Sequence, residues 1–565
     1  MSLETQPKHL TIFEQFVPKI LTVLKEGYGP REMRADAVAG LTVAIVALPL
    51  SMAIAIASGV GPQVGLFSAI VGGTVVSALG GSRFQIGGPA GAFIVLVSAC
   101  VADIGMAGLA TTCLLAGAIM ILAGALRVGT YVKFIPYPVT VGFTAGIGAI
   151  ILASQMKDAF GLSLPGAEPG ALLPKLQALW DARATLEPAA LALTLASLGG
   201  IIGLKKLRPT WPALLIVVVL SGAIAAGLDL PVQTIASRFG QLPATLPAPS
   251  LPALDHAALV AAFPYAVSFA LLGAIESLLS AVVADGMTGR HHRSNAELVA
   301  QGIANIASPV FGGMVVTGTI ARTATNVRAG AHGPMAGIFH AGFVMLAMFI
   351  FAPLAGHIPL AALAAVLITV AWNMIEKHEA WALMRNSRGD ALVLLATFLL
   401  VVFRDLTEGI LVGFALGSIL FIQRMSAAAS VEARAPLAEA DRPDGVEPYD
   451  ATAAIDGDIV VYRIQGAFFF GAASTVGAVL DRISTRPRAF ILDFAEVPFL
   501  DSTAARMIVV LGHKVVRHGG HLYLSGTDTA AQRTLVGLGL RAPVVRYMPT
   551  IDAALAAARE DLAVE

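Results

Sequence analysis

The chain has 565 residues, of which 56% are hydrophobic and 13% charged, and its formal net charge is +0. With a mean hydropathy of +0.78, this composition excludes an ordinary water-soluble protein and indicates a multi-spanning membrane protein. The balanced charge gives no basis for a nucleic-acid partner. Cys100 and Cys113, the two cysteines, lie in apolar runs and offer neither a disulfide framework nor metal-ligand spacing. They read as small core residues, and no cofactor is expected.

The N-terminal stretch MSLETQPKHLTIFEQF is polar and amphipathic, so no cleavable signal is expected. Residues 1–35 read as a cytoplasmic lead-in helix ending in the basic patch Arg31 and Arg34. Apolar runs then fall near 36–58, 64–80, 89–104, 108–127, 137–156, 188–204, 211–228, 258–285, 294–308, 318–331, 335–353, 359–375, 390–403 and 407–425. These make about fourteen segments by apolar-window reading. Arg83, Arg127 and Lys133, Lys205, Lys206 and Arg208, and then Arg290, Arg293, Arg328, Lys377, Arg385 and Arg388, occupy alternate loops. The positive-inside bias places those loops and both termini in the cytoplasm, and the membrane expected is an inner one.

The apolar region, 36–425, divides into repeats of about 36–228 and 258–425, joined by the Pro/Ala-rich connector LPATLPAPSLPALDH. Each half has an extended-then-helical break at its third segment: RFQIGGPAGAF (Arg83–Phe93) and GGMVVTGTIAR (Gly312–Arg322). Within Phe311–Asn326 alone stand three glycines, four threonines, an asparagine and an arginine. Broken helices at membrane depth are tolerated where they line a cavity, and corresponding breaks in two halves point to an inverted-repeat transporter with a midplane site. An odd number of spans per half, about seven, gives the halves opposite topology.

Residues 426–449 are rich in Ala, Glu, Arg and Pro and read as a linker. From 450 to about 562 the pattern is that of a small soluble α/β domain. Strands are expected at 458–465, 488–494, 521–525 and 543–547, with helices near 473–485, 502–517, 528–538 and 550–560. This alternation predicts a small sheet with helices on one face.

The two breaks carry the chemistry. Gly88-Pro89-Ala90 opens one half-helix, with proline in the first turn, and Gly91 lets backbone approach a ligand. Gly318-Thr319-Ile320 opens the other, where Thr319 also offers a hydroxyl. Two positive dipole ends, each equivalent to roughly half a charge, favour an anion. The competing reading makes these glycines a tight helix-packing seam. Arg322, about one turn inside the tenth segment, is costly at bilayer depth and implies function. It either approaches the bound anion or pairs with backbone or Glu276. Glu276 stands alone in LLGAIESLL, with Ser280 on the same helix face. A carboxyl in apolar surroundings holds its proton more readily than in water, so proton and anion favour each other's binding. A sodium site from Glu276 and Ser280 is the rival, and a hydrogen-bonded structural glutamate is the alternative without coupling. Asn305, Asn326 and Asn373 read as cross-helix bonds, and His340 as a satisfied core histidine.

Several stretches resemble the SulP anion permeases. LPLSMAIAIASGVGPQVGLFSAIVGG (48–73) with GGSRFQIGGPAGAF (80–93) resembles the first-repeat signature. LLGAIESLLSAVVADGMTG (271–289) with GGMVVTGTIARTATNVRAGA resembles the second, and VPFLDSTAARMIVVL (497–511) resembles the STAS domain that family carries. The second-half blocks look closest to a bacterial branch with a proton-coupled C4-dicarboxylate transporter. The resemblance implies a seven-plus-seven inverted repeat with core and gate domains, membrane homodimers, and an anion held between the third and tenth segments. It implies that the first span, broken at Pro49, closes over the substrate with Leu50, Ser51 and Ile54. Many relatives have Gln and an aromatic where Leu50 and Ile54 stand, so their substrate preference does not transfer. An arginine matching Arg322 occurs in prestin-like members. A sodium-dependent bicarbonate member uses Asp where Glu276 stands, and the longer side chain disfavours sodium here. In STAS-fold relatives a hydroxyl matching Thr503 is phosphorylated; the local reading of Asp501-Ser502-Thr503 is helix capping.

The expectation is therefore a secondary active transporter of sulfate, a C4-dicarboxylate or bicarbonate, coupled to protons through Glu276. An uncoupled exchanger or channel is one alternative, and a membrane-anchored sensor signalling through STAS is another. No P-loop and no nucleophile–base set is present, so neither ATP-driven transport nor an enzyme is expected.

Overall fold

The computed structural model describes residues 14–131, 136–166, 168–169, 171–209, 211–252, 254–404, 406–427, 430–434, 459–469 and 488–564. It divides into two compact units, Met1–Phe414 and Ala415–Glu565, and the division falls inside the last long apolar helix.

In the first unit a short amphipathic helix, α1 (Lys19–Glu26), precedes α2 (Pro30–Ala57) and α3 (Pro62–Leu79). The first span thus begins at Pro30, and Arg31 and Arg34 belong to its opening turn rather than to a separate lead-in. Proline at the first position suits a helix start, where its missing N–H has no partner to lose. A two-residue strand β1 (Gly87–Gly88) leads into α4 (Ile94–Ala125). The expected segments 89–104 and 108–127 lie along this one run, kinked at Gly105, whose φ of 71° suits glycine. Then come α5 (Tyr137–Phe160), α6 (Leu172–Asp181), α7 (Pro188–Leu207), α8 (Ala213–Gly227) and α9 (Ile235–Phe239).

The second half repeats the plan. It has α10 (His256–Thr288), α11 (Ser294–Val310), strand β2 (Thr317–Gly318), the short α12 (Ile320–Arg328), α13 (Met335–Ala355), α14 (Leu360–Met374), α15 (Lys377–Asn386), α16 (Arg388–Phe403) and α17 (Leu406–Ala427). Every expected apolar segment is helical. The additional helices α6, α9 and α15 are short, which hides them from an apolar-window reading. Packing sorts the helices into two groups, each drawn from both halves. One joins α2, α3 and α4 to α10–α13; the other joins α5, α7 and α8 to α14 and α16. Pro49 lies inside α2 without ending it, so the expected break is absent. Its ring still deprives the carbonyl one turn earlier of a partner.

The second unit is a five-stranded sheet ordered β3 (Ser430–Arg434), β4 (Ile459–Gln465), β5 (Ala489–Glu496), β6 (His521–Ser525) and β7 (Arg546–Met548). β3 pairs antiparallel to β4, and the other pairs are parallel. β3 falls within the stretch read as a linker; the rest of 435–449, and the helix expected at 473–485, lie outside the described residues. β7 starts later than expected, beyond Pro543, which has no N–H for a ladder. The helices α18 (Ser502–Arg517) and α19 (Thr529–Gly537) pack with Phe490, Leu492, Leu522 and Leu524. The terminal α20 (Ile551–Val564) covers the opposite face, against Ala489, Ile491 and Tyr523. Helices on one face only was therefore wrong. AFIL in β5 is a continuous apolar run, the mark of a strand buried on both faces.

Candidate functional site

The two helix breaks meet. β1 and β2 pair antiparallel, Gly87 opposite Gly318 and Gly88 opposite Thr317. The Thr319 N–H extends the ribbon by donating to the Ile86 carbonyl at 3.2 Å. From this ribbon the two half-helices depart. On one side extended Ala90 caps a 3₁₀ turn, Gly91–Phe93, that runs into α4. On the other, extended Thr319 caps α12. Pro89 therefore precedes the helix instead of occupying its first turn, and it presents its carbonyl.

Non-helical backbone at this depth must have every polar group satisfied. Asn305 does this for Val316 as a mock strand, accepting from its N–H and donating to its carbonyl, each at 2.8 Å. The Met314 N–H donates to the Ser68 hydroxyl at 2.7 Å, and the Met314 carbonyl accepts from Ser308 at 2.6 Å. Asn326 donates to the Phe84 carbonyl at 2.9 Å. Asn305 and Asn326 thus bond the non-helical lead-ins of the two breaks rather than a neighbouring helix, and Asn373 is exposed.

Arg322 is only 2% exposed. Its Nη2 donates to the Ser51 hydroxyl and the Pro89 carbonyl, both at 3.1 Å. Nε and Nη1 have no hydrogen-bond partner among the described residues. The guanidinium reaches Gly88 end-on, and an added Cβ there would stand 2.0 Å from Nη1. Of the readings open from sequence, the structure gives Arg322 a backbone partner and leaves donors over. Glu276 makes no direct bond to it but lies within its electrostatic reach, and its buried Oε2 has no partner among the described residues. Ser280 donates to the Thr323 hydroxyl at 3.0 Å, tying α10 to α12, and its lone pairs remain. The Thr319 hydroxyl is buried without a partner among the described residues.

Ser51, Leu50 and Ile54 are all buried on α2, and Ser51 reaches the arginine directly. Beyond Gly91 stand Ile151 of α5 and Met374 of α14, 3.5 and 3.7 Å from where a Cβ would be. The mouth of the first half-helix therefore faces the other helix group, through two side chains that no sequence signal singled out. His340 is buried as expected, but neither ring nitrogen has a partner among the described residues. A separate groove of about 730 Å³, lined by Leu48, Met52, Val218, Phe343 and Phe351 among others, is apolar apart from His357 and offers an anion nothing.

At the other end of the lead-in, Arg83 pairs with Glu26 of α1 and holds that carboxyl below its usual range. Lys19 is pushed down to about 8 by burial and by Arg293 and Arg83. In the second unit Asp501 caps α18, accepting from the Ala504 N–H at 2.8 Å, and Thr503 is an exposed residue of its first turn.

The sulfate permease family profile matches residues 33–397, and the STAS domain profile matches residues 450–554. The sulfate-transporter candidate YvdB of Bacillus subtilis (strain 168) is 36% identical over 519 residues, covering 91% of this chain and 95% of that one. Bicarbonate transporter BicA of Synechocystis is 30% identical over 535 residues, 92% of each chain. Among solved structures, the transmembrane domain of a cyanobacterial BicA superposes with a TM-score of 0.60 at 32% identity, over 69% of this chain and 98% of that one. Murine Solute Carrier 26 family member A9, an anion transporter in the inward-facing state, gives a TM-score of 0.83 over 99% of this chain and 96% of that one. At 19% identity it speaks for the fold alone.

Proposed function

Because this chain belongs to the sulfate permease family, we propose that it is a secondary active transporter that binds one small anion at the ribbon between α4 and α12. The carrying observation is Arg322: a buried cation with unpartnered donors, between two helix N-termini. Gly88, Pro89, Ala90, Gly91, Gly318, Thr319, Ile320 and Arg322 form the polar side of the site. Ser51, with Leu50 and Ile54, forms the side contributed by the first span. Transport proceeds by alternating access, the α2–α4 and α10–α13 group moving against α5, α7, α8, α14 and α16. Two copies assemble in an inner membrane with their termini in the cytoplasm.

Glu276 couples the anion to a proton. When it is ionised it offsets the Arg322 charge; when protonated it leaves that charge to the anion. Each ligand then strengthens the other's binding, which is symport. Sulfate, bicarbonate and a C4-dicarboxylate are the candidate cargoes, and the likeness to BicA favours including bicarbonate. Purified protein in liposomes, given each labelled anion under a proton gradient, a sodium gradient or neither, decides among them. Uptake driven by the proton gradient is expected. Sodium-driven uptake, or net anion current without any gradient of protons, would replace the coupling assignment by a sodium symporter or a channel. Absence of uptake for every anion would favour a sensor working through the STAS domain.

A further inference from the structure

A buried polar relay backs the ribbon on the side away from Arg322. Gln85, two residues before Gly87, is 3% exposed, and its Nε2 donates to the Ser277 hydroxyl at 2.7 Å. Ser277 sits beside Glu276 on α10 and directs its own proton to Glu297 Oε1 at 3.5 Å. Glu297, on α11 and fully buried, also accepts from the Gln301 side chain at 3.1 Å and from the Ser82 N–H at 3.0 Å. With every neighbour donating to it, Glu297 fixes which way the Ser277 hydroxyl points. The lone pair left on Ser277 then receives the Gln85 amide.

The far end of the relay touches the site. The Gln85 carboxamide occupies the place of a side chain on Gly318: a Cβ there would lie 1.5 Å from Nε2. Gly318 is the ribbon partner of Gly87 and immediately precedes the cap of α12. Thr317, its neighbour, donates to the Gly273 carbonyl of α10 at 3.1 Å, so the ribbon is held against the same helix twice.

We propose that Gln85 is a positioning residue of the anion site, held by Ser277 and Glu297 so that its amide plate sets the depth of Gly318 and hence the aim of the α12 N-terminus. The inference rests on the anion site proposed above. Two helix ends bind an anion well only when their N–H groups converge, so a plate behind one of them acts on affinity. Gln85 touches no anion, and its removal leaves the carrier able to cycle.

The test uses full-length protein in proteoliposomes and whichever of labelled sulfate, bicarbonate or fumarate the wild type accumulates. Gln85→Leu and Ser277→Ala are each expected to raise the half-saturating concentration about tenfold, the scale of one buried hydrogen bond, with the maximal rate kept within about twofold. The double variant should be no worse than the weaker single, because both break one relay. Ser277→Thr, which keeps the hydroxyl, should restore affinity. Ser277→Ala removes a single oxygen and carries the test if Gln85→Leu does not fold. An unchanged half-saturation in both variants, additive losses, or a loss confined to the yield of folded protein overturns the proposal. Arg322→Gln separates the two readings: if it too leaves affinity unchanged, the anion site itself is misplaced, whereas loss there with normal Gln85 and Ser277 variants sinks this inference alone.

Discussion

The two half-helix starts share a backbone path and differ in everything else. The first, Gly87 to Phe93, carries no charge and offers glycine surface and the Pro89 carbonyl. The second, Thr317 to Arg322, carries a hydroxyl and a buried guanidinium, and Glu276 on the same half lies within electrostatic reach of that guanidinium. Each is incomplete alone. Arg322 crosses from the second repeat to lie on Gly88 and bond Pro89, so the first repeat supplies the seat and the second the charge. Backbone symmetry in an inverted repeat thus places two helix ends together, while chemical asymmetry keeps the proposed site from being two equivalent ones.

Breaking the seat should cost most. Gly88→Val places carbon where Nη1 lies, and a misplacement on the scale of an ångström lowers uptake by about a hundredfold. Size-exclusion and thermal-melt profiles would show the protein still folded. Altering the charge comes next: Arg322→Lys keeps the cation and loses the planar fork, and about a tenfold rise in half-saturation is expected from concentration series. Glu276→Gln sharpens the asymmetry further. Anion uptake should persist while its dependence on a proton gradient disappears, measured by clamping internal and external pH; unchanged proton dependence would remove Glu276 from coupling. Gly91→Ala is the mild counterpart of the first change. The new methyl would meet Ile151 and Met374 at ordinary contact distance, so uptake should stay within about twofold. Smallest of all is Thr503→Ala on the exposed first turn of α18, which should change stability by no more than about 0.5 kcal/mol in denaturant titration and leave uptake unaltered.

The legible part of the fold was set by hydrophobic length. Runs such as 137–156 and 335–353 have to be helices, because lipid satisfies no backbone group. The breaks were legible for the converse reason: GGPAG and VTGTIAR gain nothing as spanning helix. Their mutual pairing was hidden, since strands of two residues leave no alternation to read. Asn305 was read as a cross-helix bond, but its partner is the non-helical Val316 backbone, and that use as a substitute strand depends on where Val316 comes to rest. The Gln85–Ser277–Glu297 relay joins three elements scattered along the chain, and no spacing announces it. Pro49 misled in the other direction, since proline can be carried within a packed helix at the loss of one bond. The position of α20 was missed because its Ala-rich sequence looks alike on several faces, whereas the both-sided apolar run of β5 already required a second cover.

The ribbon of Gly87, Gly88, Thr317 and Gly318 is joined through main-chain atoms, which are the same in every residue. What it demands of the gene is therefore mostly negative: at three of its four positions there is no room for a side chain. Two duplicated halves fastened in this way are free to drift apart in sequence almost everywhere else. One can acquire an arginine and an acid that the other never had, without loosening the seam that makes them a single machine.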